Sequence, residues 1–298
     1  MQSATVPKFG IAAAILLALF AARPAGGQNG HVIVHCLDEV LGIVQDTLAD
    51  DCKGRVATEE EAVTARNQRR DYIQKVLANP GNSKLKGKRL ASSGSGFFVD
   101  DDGGVLTSRH LVEDCIEVTV APSFGAKALV TSMVSDDRAD LALLHTGAAP
   151  TGIAVLAQDG GPAVVGPAFI AGYPEQGMVS LIPVLTAVEV LRRESHTPRG
   201  PAMIVRGDVR RGGSGGPLLD TGGNVIGVVV AKVDTVATYN ATGKVVRDIG
   251  FVLPIDRVRR FLDAQDVRYH SGQRRPLQPE ERLRQDTRPF MVQVGCWK

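Results

Sequence analysis

Between Gly96 and Leu253 the chain runs in short apolar, β-branched stretches broken by glycine and aspartate, and this punctuation constrains the fold more than any other feature of the 298 residues. Stretches at 96–99, 105–107, 117–120, 128–130 and 141–144 read as one group of strands. A second group follows at 168–170, 179–184, 187–191, 203–205, 225–230 and 251–253. No long helix separates the groups, so a parallel sheet with helical crossovers is disfavoured. An all-β unit of two antiparallel barrels or sandwiches is expected. Thirty-three glycines against 5% aromatics fit such a protein, because tight turns often require positive φ.

The flanks have a different texture. Lys8 precedes an uninterrupted apolar run from Ile11 to Ala22, and Arg23-Pro-Ala-Gly-Gly27 follows, the order of a secretory signal with cleavage near Gln28. The run is shorter than the ~18 residues of a membrane-spanning helix, so no stable span is expected after cleavage. Residues 28–89 read as a helical extension and linker. Leu37, Val40, Leu41, Val44 and Leu48 recur at helical spacing. A second helix is marked by capping-box spacing at Thr58 and Glu61, an apolar stripe at Tyr72, Ile73, Val76 and Leu77, and the stop Asn79-Pro80-Gly81. Lys84 to Arg89 is basic and polar. After the strands, Asp256 is placed to cap a closing helix through Val258, Phe261 and Leu262, and residues 266–298 read as a loose tail apart from 292–297.

Four cysteines, Cys36, Cys52, Cys115 and Cys296, fit an exported, periplasmic or secreted protein with disulfides. Three connectivities are open; Cys36 with Cys52 closes the shortest loop and is the expected pair, while Cys115 is expected to pair or pack. A metal is not expected, since no C-x-x-C pair or His cluster has ligand spacing. The 34 basic and 32 acidic residues are well mixed, which disfavours nucleic acid as a partner.

The chemistry-bearing segment is Gly212-Gly-Ser214-Gly-Gly-Pro217. Flanking glycines let backbone approach a bound carbonyl and let the N–H groups of Gly212 and Ser214 face one oxyanion. A serine hydroxyl needs a base, and the base needs an orienting group. His110, at the end of a strand, and Asp140, at the entrance to Leu141-Ala-Leu-Leu144, have the required types. Each has a plain alternative taken alone: a glycine–serine turn, a structural histidine, a strand-edge aspartate. Their joint placement favours catalysis.

Ser95-Gly-Phe-Phe-Val99, Leu106-Thr-Ser-Arg-His110, Asp140-Leu-Ala-Leu143, the Ser214 motif and Gly250-Phe-Val-Leu-Pro254 together resemble the trypsin-like serine proteases, and more narrowly the HtrA/DegP-type bacterial proteases. The resemblance covers about residues 90–265. It implies two six-stranded β-barrels with the site between them, His110 and Asp140 on the first and Ser214 on the second, no cofactor, and protein or peptide substrates cleaved through an acyl-enzyme. Some 30 residues after the closing helix are too few for a PDZ domain. Gly213 stands where digestive trypsins carry the aspartate of zymogen activation, and Arg109, beside the base, is expected to point outward. Val230, Ala231 and Lys232 are implied as the substrate-pairing edge. If the alignment to trypsin is gap-free, Asp208 lies at the base of the primary pocket and favours Arg or Lys; in the HtrA-like pattern it does not read charge. The competing function is a silent, peptide-holding relative with the same cleft. Oligomeric state is left open.

Overall fold

The computed structural model describes residues 31–39, 43–77, 83–124, 126–158, 165–173, 182–197, 200–209 and 212–298. The expected signal and residues 179–181 of one expected strand lie outside the described residues. No described helix is long and apolar enough to cross a membrane.

The chain begins with β1 (Ile33–Asp38), β2 (Ile43–Leu48) and β3 (Arg55–Ala57), an antiparallel sheet in the order β2-β1-β3. This corrects the helix expected over 37–48. Leu37 lies opposite Val44 and Ile33 opposite Leu48. The β-branched Ile33, Val34, Ile43, Val44 and Thr47 suit a pleated strand better than a helix. Cys36 and Cys52 are bridged as expected, with Cα atoms 5.4 Å apart. The extension is therefore a small sheet plus one helix, α1 (Glu59–Leu77), rather than all helical. That helix begins with the expected capping box. Thr58 N–H donates to Glu61 Oε2 at 2.8 Å and Glu61 N–H to Thr58 Oγ1 at 3.2 Å. The Arg55 guanidinium, with help from the Thr58 N–H, holds the Glu61 carboxyl down at about 2.

Next come β4 (Leu90–Phe98), β5 (Gly104–Ser108), β6 (Glu117–Pro122), β7 (Ala128–Asp136) and β8 (Leu141–Thr146). The second series is β9 (Val155–Ala157), β10 (Gly166–Gly172), β11 (Val184–Thr197), β12 (Gly200–Gly207), β13 (Pro217–Leu219), β14 (Val225–Lys232), α2 (Thr235–Thr242) and β15 (Ile249–Pro254). Then follow α3 (Ile255–Asp263), β16 (His270–Gly272), α4 (Glu280–Thr287) and β17 (Met291–Trp297). Pro254, not Asp256, occupies the cap position of α3; Asp256 sits in its first turn, where a carboxylate favours the helix N-terminus, and pairs with Arg260 at 2.9 Å. Val258, Phe261 and Leu262 are buried as expected.

Both expected six-stranded antiparallel barrels are present. The first closes in the order β17-β4-β5-β8-β7-β6. The second runs β13-β10-β11-β12-β15-β14, with β14 returning to β13, and β9 and β16 add to it in parallel. One apolar cluster links Phe97, Leu106 and Leu143 of the first barrel with Val228 and Leu253 of the second and Val258 of α3. Val188, Met203, Val205, Leu218 and Val252 fill a further cluster in the second barrel.

The far end of the chain departs from the expected domain plan, in which the barrels end at 265 and 266–298 is a tail. Strand β17 lies between β4 and β6, with Val294 opposite Gly94 and Val120. All seven of its residues are buried. Trp297, 1% exposed, donates Nε1–H to Thr119 Oγ1 at 2.9 Å and packs with Leu85, Leu90 and Ala121, against which Tyr72 of α1 also rests. A bridge from Cys115 to Cys296 fastens the strand to the turn that follows His110. Burying seven residues and completing two ladders outweighs the polar, proline-rich character of the approach.

Candidate active site

Strand β5 delivers the chain to the junction between barrels and ends in a 3-10 turn, Arg109–Leu111, that carries His110. Strand β8 pairs with β5, Ser108 opposite Leu141, so the residue entering β8 is brought against that turn. It is Asp140, 5% exposed, with φ at 54°. A left-handed backbone is uncommon outside glycine, and aspartate tolerates it better than most residues. Three hydrogen bonds hold the conformation here. The Asp140 carbonyl accepts from Arg109 N–H at 3.0 Å, Oδ1 accepts from His110 N–H at 3.0 Å, and Oδ2 lies 2.7 Å from His110 Nδ1. The third contact makes Nδ1 the protonated nitrogen and leaves Nε2 as an acceptor. The His110 side chain is 34% exposed, so its free edge can meet a ligand.

Arg109 carries its charge away from the ring. Its guanidinium meets Glu113 and Asp137, each at 2.7 Å.

Ser214 sits half-buried on the loop before β13, with Gly212, Gly213, Gly215 and Gly216 buried about it. Gly215 N–H donates to the Val229 carbonyl at 2.8 Å, and Ser108 Oγ donates to the same carbonyl at 3.2 Å. The segment leading to His110 and the segment leaving Ser214 thus converge on one oxygen atom. Glycine is required at 215: φ is 79°, and a Cβ there would lie 2.2 Å from the Ser95 carbonyl oxygen. Gly212 also has left-handed φ, 86°.

Val229 N–H returns a bond to the Gly216 carbonyl at 2.9 Å, and the β13–β14 ladder ends with Pro217 opposite Val228. Beyond that rung, Val230 falls at a register shift, and Ala231 and Lys232 pair with Phe251 and Gly250 of β15. All three lie just past the Ser214 loop. Asp208 is placed differently: it is exposed, between Gly207 and the buried Val209.

Sequence reasoning missed two residues that join the barrels at this point. Ser95, fully buried in β4, donates Oγ–H to the Gly212 carbonyl at 2.6 Å and its N–H to the Ser214 carbonyl at 3.0 Å. Tyr173, just after β10, donates its N–H to Ser95 Oγ at 2.8 Å, while its hydroxyl donates to the Met291 carbonyl at 3.1 Å. Burial pushes the Tyr173 phenol well above its ordinary pKa, so it remains protonated as that donor. Only the Ser95-Gly-Phe string marked this region in the sequence, and the string does not tell which atoms meet. Among the described residues, no group of three or more His, Cys, Asp or Glu is gathered to hold a metal ion.

Residues 94–228 match the family model of the trypsin-like peptidase domain. Serine protease HTRA1 of Xenopus tropicalis is 30% identical over 188 residues, 61% of this chain and 38% of that protein. A probable periplasmic serine endoprotease, DegP-like, of Chlamydia trachomatis is 29% identical over 59% of this chain and 34% of its own length. Among solved structures, the active form of the Rv3671c protease from M. tuberculosis aligns with a TM-score of 0.47 and 27% identity, over 60% of this chain and 76% of that one. The chain spans about a third of the length of the curated relatives it matches.

Proposed function

We propose that this chain, which carries a trypsin-like peptidase domain with HtrA- and DegP-type relatives, is an exported serine endopeptidase working through His110, Asp140 and Ser214. The observation that carries the reading is the three-point hold of Asp140 on the His110 turn, at the junction where the Ser214 loop is fastened. A buried carboxylate that fixes Nδ1–H gives the imidazole the correct tautomer and stabilises the cation formed during attack.

In this reading His110 Nε2 accepts the Ser214 hydroxyl proton as Oγ bonds to the scissile carbonyl carbon. The carbonyl electron pair moves onto oxygen, where the N–H groups of Gly212 and Ser214 receive it. Collapse expels the amine, which takes the proton from His110, and leaves an acyl-enzyme; water then repeats the sequence. Val230, Ala231 and Lys232 offer an extended edge to the substrate backbone. The exposure of Asp208 supports the HtrA-like alternative, in which it does not read a basic side chain at the base of a pocket. Two disulfides support an oxidising compartment, periplasmic or secreted.

The test is covalent labelling of the mature protein by a fluorophosphonate with mass mapping of the adduct. Labelling at Ser214 that disappears in Ser214→Ala is expected. A folded protein that takes up no label and cleaves no unfolded protein would overturn the proposal in favour of a peptide-holding relative.

A further inference from the structure

Ser95 makes contacts whose directions can be assigned. Tyr173 N–H can only donate, so Ser95 Oγ is the acceptor there; the single hydroxyl proton then belongs to the Gly212 carbonyl, 2.6 Å away. The Ser95 main chain is occupied too. Its N–H holds the Ser214 carbonyl at 3.0 Å, and its carbonyl accepts from Thr107 Oγ1 at 2.7 Å. One residue of the first barrel therefore grips the carbonyls of both residues whose N–H groups would form the oxyanion hole.

This grip matters because the loop has little preference of its own. Gly212 and Gly213 are adjacent glycines, each with a broad choice of φ and ψ. Peptide planes are rigid, so fixing the Gly212 carbonyl fixes the whole unit that joins it to Gly213. With φ of Gly212 at 86°, only its ψ then stands between that fixed unit and the direction of its N–H. The contact cannot drift, since Ser95 is fully buried and a Cβ on Gly172 would lie 2.9 Å from its Oγ.

We propose that Ser95 is the positioning residue of the oxyanion hole: its hydroxyl, oriented by Tyr173 N–H, sets the Gly212 peptide in the form that accepts negative charge. The inference rests on the serine-protease reading and adds a residue on the opposite barrel to its machinery. Losing an oxyanion donor outright typically costs 10²–10³ in kcat, so loss of its orientation should cost about ten- to a hundredfold.

The experiment compares full-length wild type with Ser95→Ala and Ser95→Cys, using fluorescein-labelled casein for kcat and KM and diisopropyl fluorophosphate for the inactivation rate. Ser95→Ala should lower kcat and the inactivation rate by about ten- to a hundredfold, with KM unchanged and the pH–kcat profile keeping its wild-type shape. Ser95→Cys, a weaker donor of similar volume, should fall between. As a stability control, Thr119→Val removes the buried partner of Trp297 on β6, which β17 separates from the strand of Ser95, and should lower Tm without lowering kcat at a temperature where it is folded. Wild-type kcat in Ser95→Ala overturns the inference, as does a loss that only follows the folded fraction. Should the alanine variant fail to fold, full activity in Ser95→Cys overturns it equally. A wild type inert to both probes removes the serine-protease reading and this inference with it, an outcome distinct from active wild type with active variants.

Discussion

The two barrels have the same number of strands and are put together differently. The second takes its six strands from one stretch, Gly166 to Pro254, so each strand finds partners made shortly before or after it. The first takes five strands from Leu90 to Thr146 and the sixth from Met291 to Trp297, beyond the whole of its neighbour. A continuous barrel needs only turns to hold its order. A discontinuous one needs something to retain the distant strand, and the molecule supplies three devices: the Cys115–Cys296 bridge, the burial of Trp297, and the Tyr173 hydroxyl on the Met291 carbonyl. Covalent and packing reinforcement thus appears where closure of the chain is entropically hardest.

The largest expected effect comes from emptying the Trp297 site. Trp297→Ala should destabilise by about 3–5 kcal/mol, seen as a lower denaturation midpoint in urea. Leu218→Ala in β13 is the matching change in the continuous barrel and should cost about 2–5 kcal/mol. If the barrels unfold as one unit, both variants give a single transition with an unchanged slope; two transitions in Trp297→Ala alone would show that the discontinuous barrel opens separately.

Removing the bridges should separate the regions further. The Cys115–Cys296 bridge spans 181 residues and the Cys36–Cys52 bridge 16. Replacing the first pair by serine should lower stability by about 2–5 kcal/mol and the second pair by less, because the loop released is shorter. Equal shifts in thermal melts would break the link between the bridge and the distant strand.

The smallest effect lies in the N-terminal sheet. Asp46, at 2.6 Å from His35 Nδ1, raises the pKa of the imidazole, with Glu59 adding to it against the opposing effect of burial. A raised folded pKa means that the contribution to stability is complete below the unfolded value near 6.5 and is lost as pH rises through the folded value. The pair is solvated, so the change should be a few tenths of a kcal/mol at most. Protection of the β1 and β2 amides, taken relative to their intrinsic exchange rates, should fall from pH 6 to 9 in wild type and show no such step in His35→Gln.

Much of this was legible in the sequence, and the reasons are physical. Short β-rich runs bounded by glycine report strands because strand period and turn geometry are local. Asp140 and His110 were recognisable because the chemistry admits few residue types, and the structure brings the two side chains to 2.7 Å. The β1–β2 hairpin was misread since Leu37, Val40, Leu41, Val44 and Leu48 fit a helical period, while the deciding cross-strand pairs and bridge are tertiary. For β17 the sequence set 292–297 apart from the loose tail, but its partners Gly94 and Val120 lie more than 170 residues away. Ser95 is a buried hydroxyl whose meaning depends on Tyr173 and Gly212, positions no local pattern connects to it.

The position of β17 also sets a clock. During synthesis, roughly 150 residues must emerge after β8 before the first barrel can close, which at about 5–20 residues per second takes roughly 8–30 s. Throughout that interval β4 and β6 lack the neighbour that joins them, and each exposes a bare edge able to pair with other chains. The His110 turn waits for the bridge that anchors it, and Tyr173 for the carbonyl that receives its hydroxyl. A nascent chain therefore cannot complete the junction between its barrels until β17 has been made, and a ribosome stalled ahead of β17 leaves a product with an open barrel and no means of closing it.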